Sequence, residues 1–297
     1  MALTEQQFIE LEGNIRKTFD AYFKKPGVDL ITPCFNVIKD KKAQITDFTV
    51  GSMSRMTEWD GSVSYSDFVK GYTKQARPTK YSKGLQIDSD LYDDGEYREI
   101  KTRTNSVIHA VDKTLRYHSK LVWENAFSTT YTGPDSAALC SASHYTVPGA
   151  DAQTNTFTLD LSYTNMETIQ NAAEQWTDDN GDPMLVELDM VIAGPYWRKT
   201  CEKLFGSDKE AFTADNTKNV EADKKYWINP LITGTKWFYV NEFAMKAGDG
   251  LNFWMRKDPR NLETDSDFDA EILKWKAVGR WTWWWVNWHW LAGSNPS

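Results

Sequence analysis

The sequence predicts an α+β protein, and three observations carry that prediction. Residues 96–127 place Ile100, Val107, Ile108, Val111, Leu115, Leu121 and Val122 on one helical stripe, with no Gly or Pro between them. Residues 131–245 mix short apolar runs with short helical patterns. Residues 271–291, EILKWKAVGRWTWWWVNWHWL, alternate large apolar residues with Lys, Arg and Thr at the period of a strand.

The elements follow in order. Residues 4–24 read as an amphipathic helix, with Phe8, Leu11, Ile15, Phe19 and Tyr22 at helical spacing. Thr4 and Gln7 supply a capping box, and Pro26-Gly27 end the helix. From 28 to 60 the pattern is mixed and extended, as in an arm lying over something else. Residues 62–87 read as a long two-stranded hairpin turning at Arg77-Pro78, with little apolar content of its own. Its ionic content is lopsided, Lys70, Lys74, Arg77, Lys80 and Lys83 against Asp67, while residues 88–99 are strongly acidic. Each block reads either as a solvated face or as one half of a contact across a subunit boundary. The stripe over 96–127 implies a helix of roughly 48 Å, long enough to serve as a spine. Beyond Gly133-Pro134 come a helix over 162–176, a turn at NGDP (180–183) and a buried strand over 185–193. A Pro195-initiated helix then runs to Phe205 with Gly206 as its cap, and strands follow at 226–232 and 236–243.

The C-terminal run holds half of the fourteen tryptophans. Leu273, Trp275, Ala277, Trp281, Trp283 and Trp285 share odd positions, whereas Lys274, Lys276, Arg280 and Thr282 point the other way. After Trp285 the apolar set shifts to Trp284, Val286, Trp288 and Trp290, which predicts a bulge, a bend or a section covered on both faces. One continuous strand here would span roughly 70 Å, so a break is expected. Arg280 and His289 bound an apolar run too short for a membrane span. The expected role of Trp275, Trp281, Trp283, Trp285 and Trp288 is a core or a subunit interface, packed inward against the spine helix.

Composition and motifs exclude several classes. A formal charge of −8 argues against a dedicated nucleic-acid binder. Cys34, Cys140 and Cys201 are odd in number and far apart, which disfavours disulfides and zinc ribbons and points to a reducing compartment. The start MALTEQQFIELEG has no signal-peptide pattern, and no lost leader is expected. His109 and His118 lie nine residues apart on one helix, on opposite sides, and Cys140 with His144 makes only two ligands. No GxSxG, GxxxxGK[ST] or GxGxxG string occurs, and the doublets Asp93-Asp94 and Asp178-Asp179 sit beside glycine in turns. No catalytic residue, cofactor or metal is expected.

Several strings, in their order and spacing, are similar to one family. GLQIDSDLYDDGEYREI (84–100), GPDSAALCSASH (133–144) and DDNGDPMLVELDMVIAGPYWRKTCEKLF (178–205) resemble the major capsid proteins of tailed bacteriophages, and within them the Mu-like head subunits. The resemblance implies the Hong Kong 97 type of fold. It divides the chain into an N-terminal arm (1–60), an extended loop (61–95), a spine helix of the peripheral domain (96–130), an axial domain (131–245) and a closing peripheral β segment (246–297). It implies a shell of hexamers and pentamers around packaged DNA, in a virion assembled in the host cytoplasm. It places Lys70, Lys74, Arg77, Lys80 and Lys83 against a neighbouring subunit. Without a scaffolding segment at the N-terminus, a separate scaffold or none is implied; portal and decoration proteins are further implied partners. Some relatives join a loop lysine to a neighbour's asparagine; this chain offers Lys70, Lys74, Lys80, Lys83 and Asn287, but lysines are commonplace in a solvated hairpin and no such bond is expected. The rivals are a carbohydrate-binding or carbohydrate-cleaving protein using exposed tryptophans, and another virion component.

Overall fold

The computed structural model describes residues 5–25, 29–63, 65, 67, 69–88, 90, 91, 94–206, 219, 221–267, 269 and 271–296. The capping residue Thr4 and the terminator Pro26-Gly27 lie outside them. Helix α1 (Glu5–Phe23) lays Leu11, Ile15 and Phe19, one helical turn apart, on helix α2 (Tyr97–Glu124). The spine is 28 residues long and buries Ile100, Val107, Ile108, Val111, Leu115, Val122 and Trp123. Leu121, expected on that stripe, is half-buried at its border. The polar members of the stripe are satisfied locally. Thr104 Oγ1 donates to Ile100 O at 2.8 Å, and Asp112 accepts from Tyr22 Oη and Arg116 Nε, each at 2.9 Å.

The spine covers a sheet built along the 14-residue strand β11 (Ile272–Trp285). One edge of β11 pairs antiparallel with β4 (Thr79–Asp88) through ten registered residues. Its other edge pairs with β9 (Leu251–Lys257) and then β10 (Leu262–Asp267), which lie in line along it and are separated by Asp258–Asn261. Strand β1 (Asn36–Ile38) adds parallel to β9. The register slips at Arg280/Trp281, where Lys257 and Met255 are the facing residues and Arg256 is the extra one. Gly279 is required there. A Cβ would lie 2.1 Å from the Trp281 ring and 2.8 Å from Pro259 Cβ. The expected break does occur after Trp285, where strand pairing stops until β12 (Leu291–Ser294).

A second sheet has the order β5-β12-β8-β6-β7, with β5 (Thr156–Phe157), β6 (Met190–Ala193), β7 (Lys225–Ile228) and β8 (Trp237–Val240). Every residue of β6, β8 and β12 is buried, because both faces are covered. Met190, Ile192, Phe238, Val240 and Leu291 join the spine core. Val191, Ala193, Trp237, Tyr239 and Ala292 pack under α3 (Tyr163–Ala173) and α4 (Arg198–Phe205). Because β12 belongs here, the C-terminal segment expected to stay with the first sheet is shared between the two.

Two expectations need correction. The strand foreseen over 185–193 is only β6. Before it, the Gln170 side chain donates to Val186 O (3.1 Å) and accepts from Leu188 N (3.0 Å), standing in for a neighbouring strand. The hairpin foreseen over 62–87 is also placed differently. Strand β3 (Lys70–Ala76) pairs with β2 (Ile45–Val50), and β4 belongs to the first sheet. The connection at Arg77-Pro78 therefore hands the chain from one sheet to another. The reason is apolar content: Tyr81, Leu85 and fully buried Ile87 give β4 a face that packs into the spine core.

Candidate functional site

The first feature is the aromatic seam of β11. Trp281 is buried, stacked on Tyr81 (centroids 4.5 Å) and edge-on to His118 (5.7 Å). Trp275 and Trp285 are also buried in the spine core, whereas Trp283 is half-buried between Tyr131 (5.8 Å) and Trp285 (6.0 Å). Trp284 faces the opposite way. Its Nε1 donates to Asp47 Oδ2 at 2.7 Å, and its ring packs with Ala76, Trp254 and Val286 in a small core under the β2–β3 ribbon. The distal half of β11 is thus covered on both faces, which explains the shift in apolar phase. Trp288 leaves this sheet altogether and packs in the second core against Trp176 (5.1 Å).

Around Trp288 lies a buried histidine cluster. The His144 ring stacks on Trp288 at 4.6 Å, and His289 stacks on it at 3.7 Å. His144 Nδ1 meets Asp135 Oδ2 at 2.6 Å; His289 Nδ1 faces Asn287 Oδ1. Among the described residues neither Nε2 has a hydrogen-bond partner, and no group of three or more His, Cys, Asp or Glu side chains is set to hold a metal. Burial, reinforced by His144 nearby, depresses His289 to about 3, against the opposing pull of Asp135. A folded-state value below the unfolded 6.5 means that this contribution is complete above about pH 6.5 and is lost as pH falls towards 3. About 2–3 kcal/mol of it is gone by roughly pH 4.5. Denaturant titrations at neutral and acidic pH are expected to show a smaller loss for His289→Gln than for the wild type.

The second feature is the ribbon itself. Its inner face carries polar Asp47 and Thr49, while Phe48 and Val50 point outward. Beyond them Met56, Trp59 and Tyr65 are 100 %, 70 % and 93 % exposed, and Met53, Val63 and Val69 are exposed as well. Many large apolar side chains are thus left in solvent in the lone subunit. The chain just beyond the Val50/Lys70 end of the ribbon is held by its own subunit. Ser52 N donates to Asp179 Oδ1 at 2.7 Å, Asn180 Nδ2 donates to Ser52 O at 3.0 Å, and Arg55 pairs with Asp182.

The basic residues foreseen for contact divide. Lys70, Arg77, Lys80 and Lys83 are exposed, and Arg77 Nε donates to Gln44 Oε1 at 2.7 Å. Lys74 is turned inward, donating to Thr132 O at 2.7 Å, and burial lowers its pKa. Asn287 is engaged in its own turn, its Oδ1 accepting from Trp288 N (2.7 Å) and His289 N (3.1 Å). The exposed apolar residues between Phe48 and Val69 were not foreseen. Their only signal is local: Phe48 and Val50 alternate with Asp47 and Thr49 but face outward, and from Ser52 to Val63 every residue is exposed, so no period towards a core can be read.

No protein-family model and no curated protein sequence matches the chain. Solved structures do. A chain of the bacteriophage JBD30 capsid decorated with minor capsid protein trimers aligns with TM-score 0.53 and 11 % identity, over 71 % of this chain and 94 % of that one. A virus-like particle from Pyrococcus furiosus aligns with TM-score 0.52 and 11 % identity, over 95 % and 98 %. The capsid of a native GTA particle gives 0.54 and 11 %, over 92 % and 91 %. At this identity the likeness is one of fold, and the fold of this chain is that of phage-type capsid subunits.

Proposed function

We propose that the chain is a major capsid protein of the Hong Kong 97 type, which assembles with copies of itself into rings and then into an icosahedral shell around packaged DNA. The observation that carries this reading is a fold likeness to shell subunits over more than nine-tenths of the chain. It is supported by the outward side of the ribbon and the chain beyond it, where Phe48, Val50, Met53, Met56, Trp59, Val63, Tyr65 and Val69 are exposed in the lone subunit. The ribbon Ile45–Ala76 takes the part of the extended loop, later in the chain than an arm and earlier than the stretch 61–95 first expected. The sheet around β11 with α2 takes that of the peripheral domain, and the β5-β12-β8-β6-β7 sheet that of the axial domain. Lys70, Arg77, Lys80 and Lys83 are placed at the subunit boundary by the same reading; Lys74 is not, being committed to Thr132.

The net charge of −8 suits a wall that encloses DNA without gripping particular sequences. A separate scaffold, a portal and decoration proteins are proposed partners, the virion is the proposed location, and no catalytic activity is assigned. The finer placement among Mu-like head subunits rests on the strings at 84–100, 133–144 and 178–205. Velocity sedimentation of the purified chain over a range of concentrations tests the reading. Rings or multi-megadalton species are expected; a monomer throughout contradicts it.

A further inference from the structure

The second sheet has two exposed ends of opposite character. At one end, before β6 and after β8, Leu185 and Phe243 are 83 % and 85 % exposed. Asn241 Nδ2 donates to Glu187 O at 2.7 Å and Glu242 N to Asp189 Oδ1 at 2.7 Å, so these segments are held side by side. Glu187 and Asp223 are exposed there and form no ion pair among the described residues. Glu242, in the same corner, is already shared by Lys225 and Lys246. At the other end, immediately after β6, Pro195 and Tyr196 are exposed, Tyr196 by 66 %. Arg198 and Lys199 stand beside them, exposed and without an ion pair among the described residues; Glu202 and Lys203 follow one turn on.

Leu185 is the sharpest of these observations. It holds φ at +51°, a conformation that a leucine adopts only against strain, and its side chain gains no burial in return. Hydrogen bonds to Gln170 and Trp176 hold the backbone on either side of it, yet its side chain stays in solvent.

We propose that these two ends form a second contact between copies of this chain: the acidic, apolar end (Leu185, Glu187, Asp223, Phe243) of one subunit receives the basic, aromatic end (Tyr196, Arg198, Lys199) of the next. The occupant is a second copy because the complementary charge and the aromatic cover are on the same molecule, at the far end of the same short strand. A contact between two different patches is head-to-tail, and head-to-tail contacts that close generate rings. The inference rests on the shell-forming reading and adds to it a contact that does not involve the ribbon.

A charge exchange within one chain tests it, with particle yield read by velocity sedimentation and folding by circular dichroism. Arg198→Glu with Lys199→Glu is expected to lower particle yield by at least about tenfold at low salt, since like charges would then meet. Adding Glu187→Lys and Asp223→Lys to that variant is expected to restore it. Leu185→Gly, which removes both the strain and the apolar contact, is expected to melt no lower than the wild type and yet to assemble poorly. Undiminished particles from the Arg198/Lys199 variant, or a loss that the exchange does not rescue, would overturn this contact while leaving the shell-forming reading intact. Should the Arg198/Lys199 variant misfold, Leu185→Gly decides alone: normal particles from it overturn the proposal. A wild-type chain that never leaves the monomer overturns both readings.

Discussion

Trp281→Ala is expected to cost about 3–5 kcal/mol and to leave little soluble protein. The indole is 2 % exposed, lies flat on Tyr81 of the neighbouring strand and meets His118 of the spine, so its removal opens a cavity where β4, β11 and α2 come together. A whole domain is typically stable by only about 5–15 kcal/mol, so this one side chain decides folding. Trp283→Ala, two residues on along the same face, is expected to cost only about 1–2 kcal/mol, because that ring is half-buried and borders an open groove with Tyr131. Soluble yield and thermal melting of the two variants check the difference. The sequence alone made the two tryptophans equivalent, and the structure separates them.

Deleting Met53–Tyr65 and bridging the gap with a short Gly-Ser linker is expected to have the opposite profile. Melting should change little, within about 0.5 kcal/mol, since the segment contributes to neither large core and Arg55–Asp182 is a surface pair. Shells should be absent. The ribbon β2–β3 is held on its own subunit, but Met56, Trp59 and Tyr65 in the deleted segment are exposed there, and ordering that segment costs roughly 1–2 kcal/mol per residue, which contact with another copy would offset. The deletion must stop short of β3 and β4. Cutting into β4 removes Tyr81, the partner of Trp281, and would unfold the subunit for reasons unrelated to assembly.

What the sequence revealed and what it hid follow one physical line. The spine was legible because an uninterrupted stripe at 3.6-residue spacing has one structural meaning, and α2 ends within three residues of its expected limits. The buried strand β11 and its break after Trp285 were legible from period two and its change of phase. The pairing of strands was not. Residues 62–87 have the look of a hairpin because two extended runs flank Arg77-Pro78, yet register depends on what each run can pack against, and for β4 that information lies about two hundred residues away in β11. The ribbon was hidden for a related reason. Phe48, Val50, Met56 and Trp59 point away from their own core, and a pattern that buries nothing within the chain leaves no period to read. The second sheet misled through Gln170, whose amide replaces strand hydrogen bonds at 186–188 and lets Leu185 turn into the left-handed region.

Cryo-electron microscopy of particles made by the purified chain tests the central claim most directly. The expected result is closed icosahedral shells in which residues 45–76 of each subunit lie over the subunit beside it. Discrete monomers or small oligomers with no closed shell, or shells in which that ribbon touches only its own subunit, would contradict it.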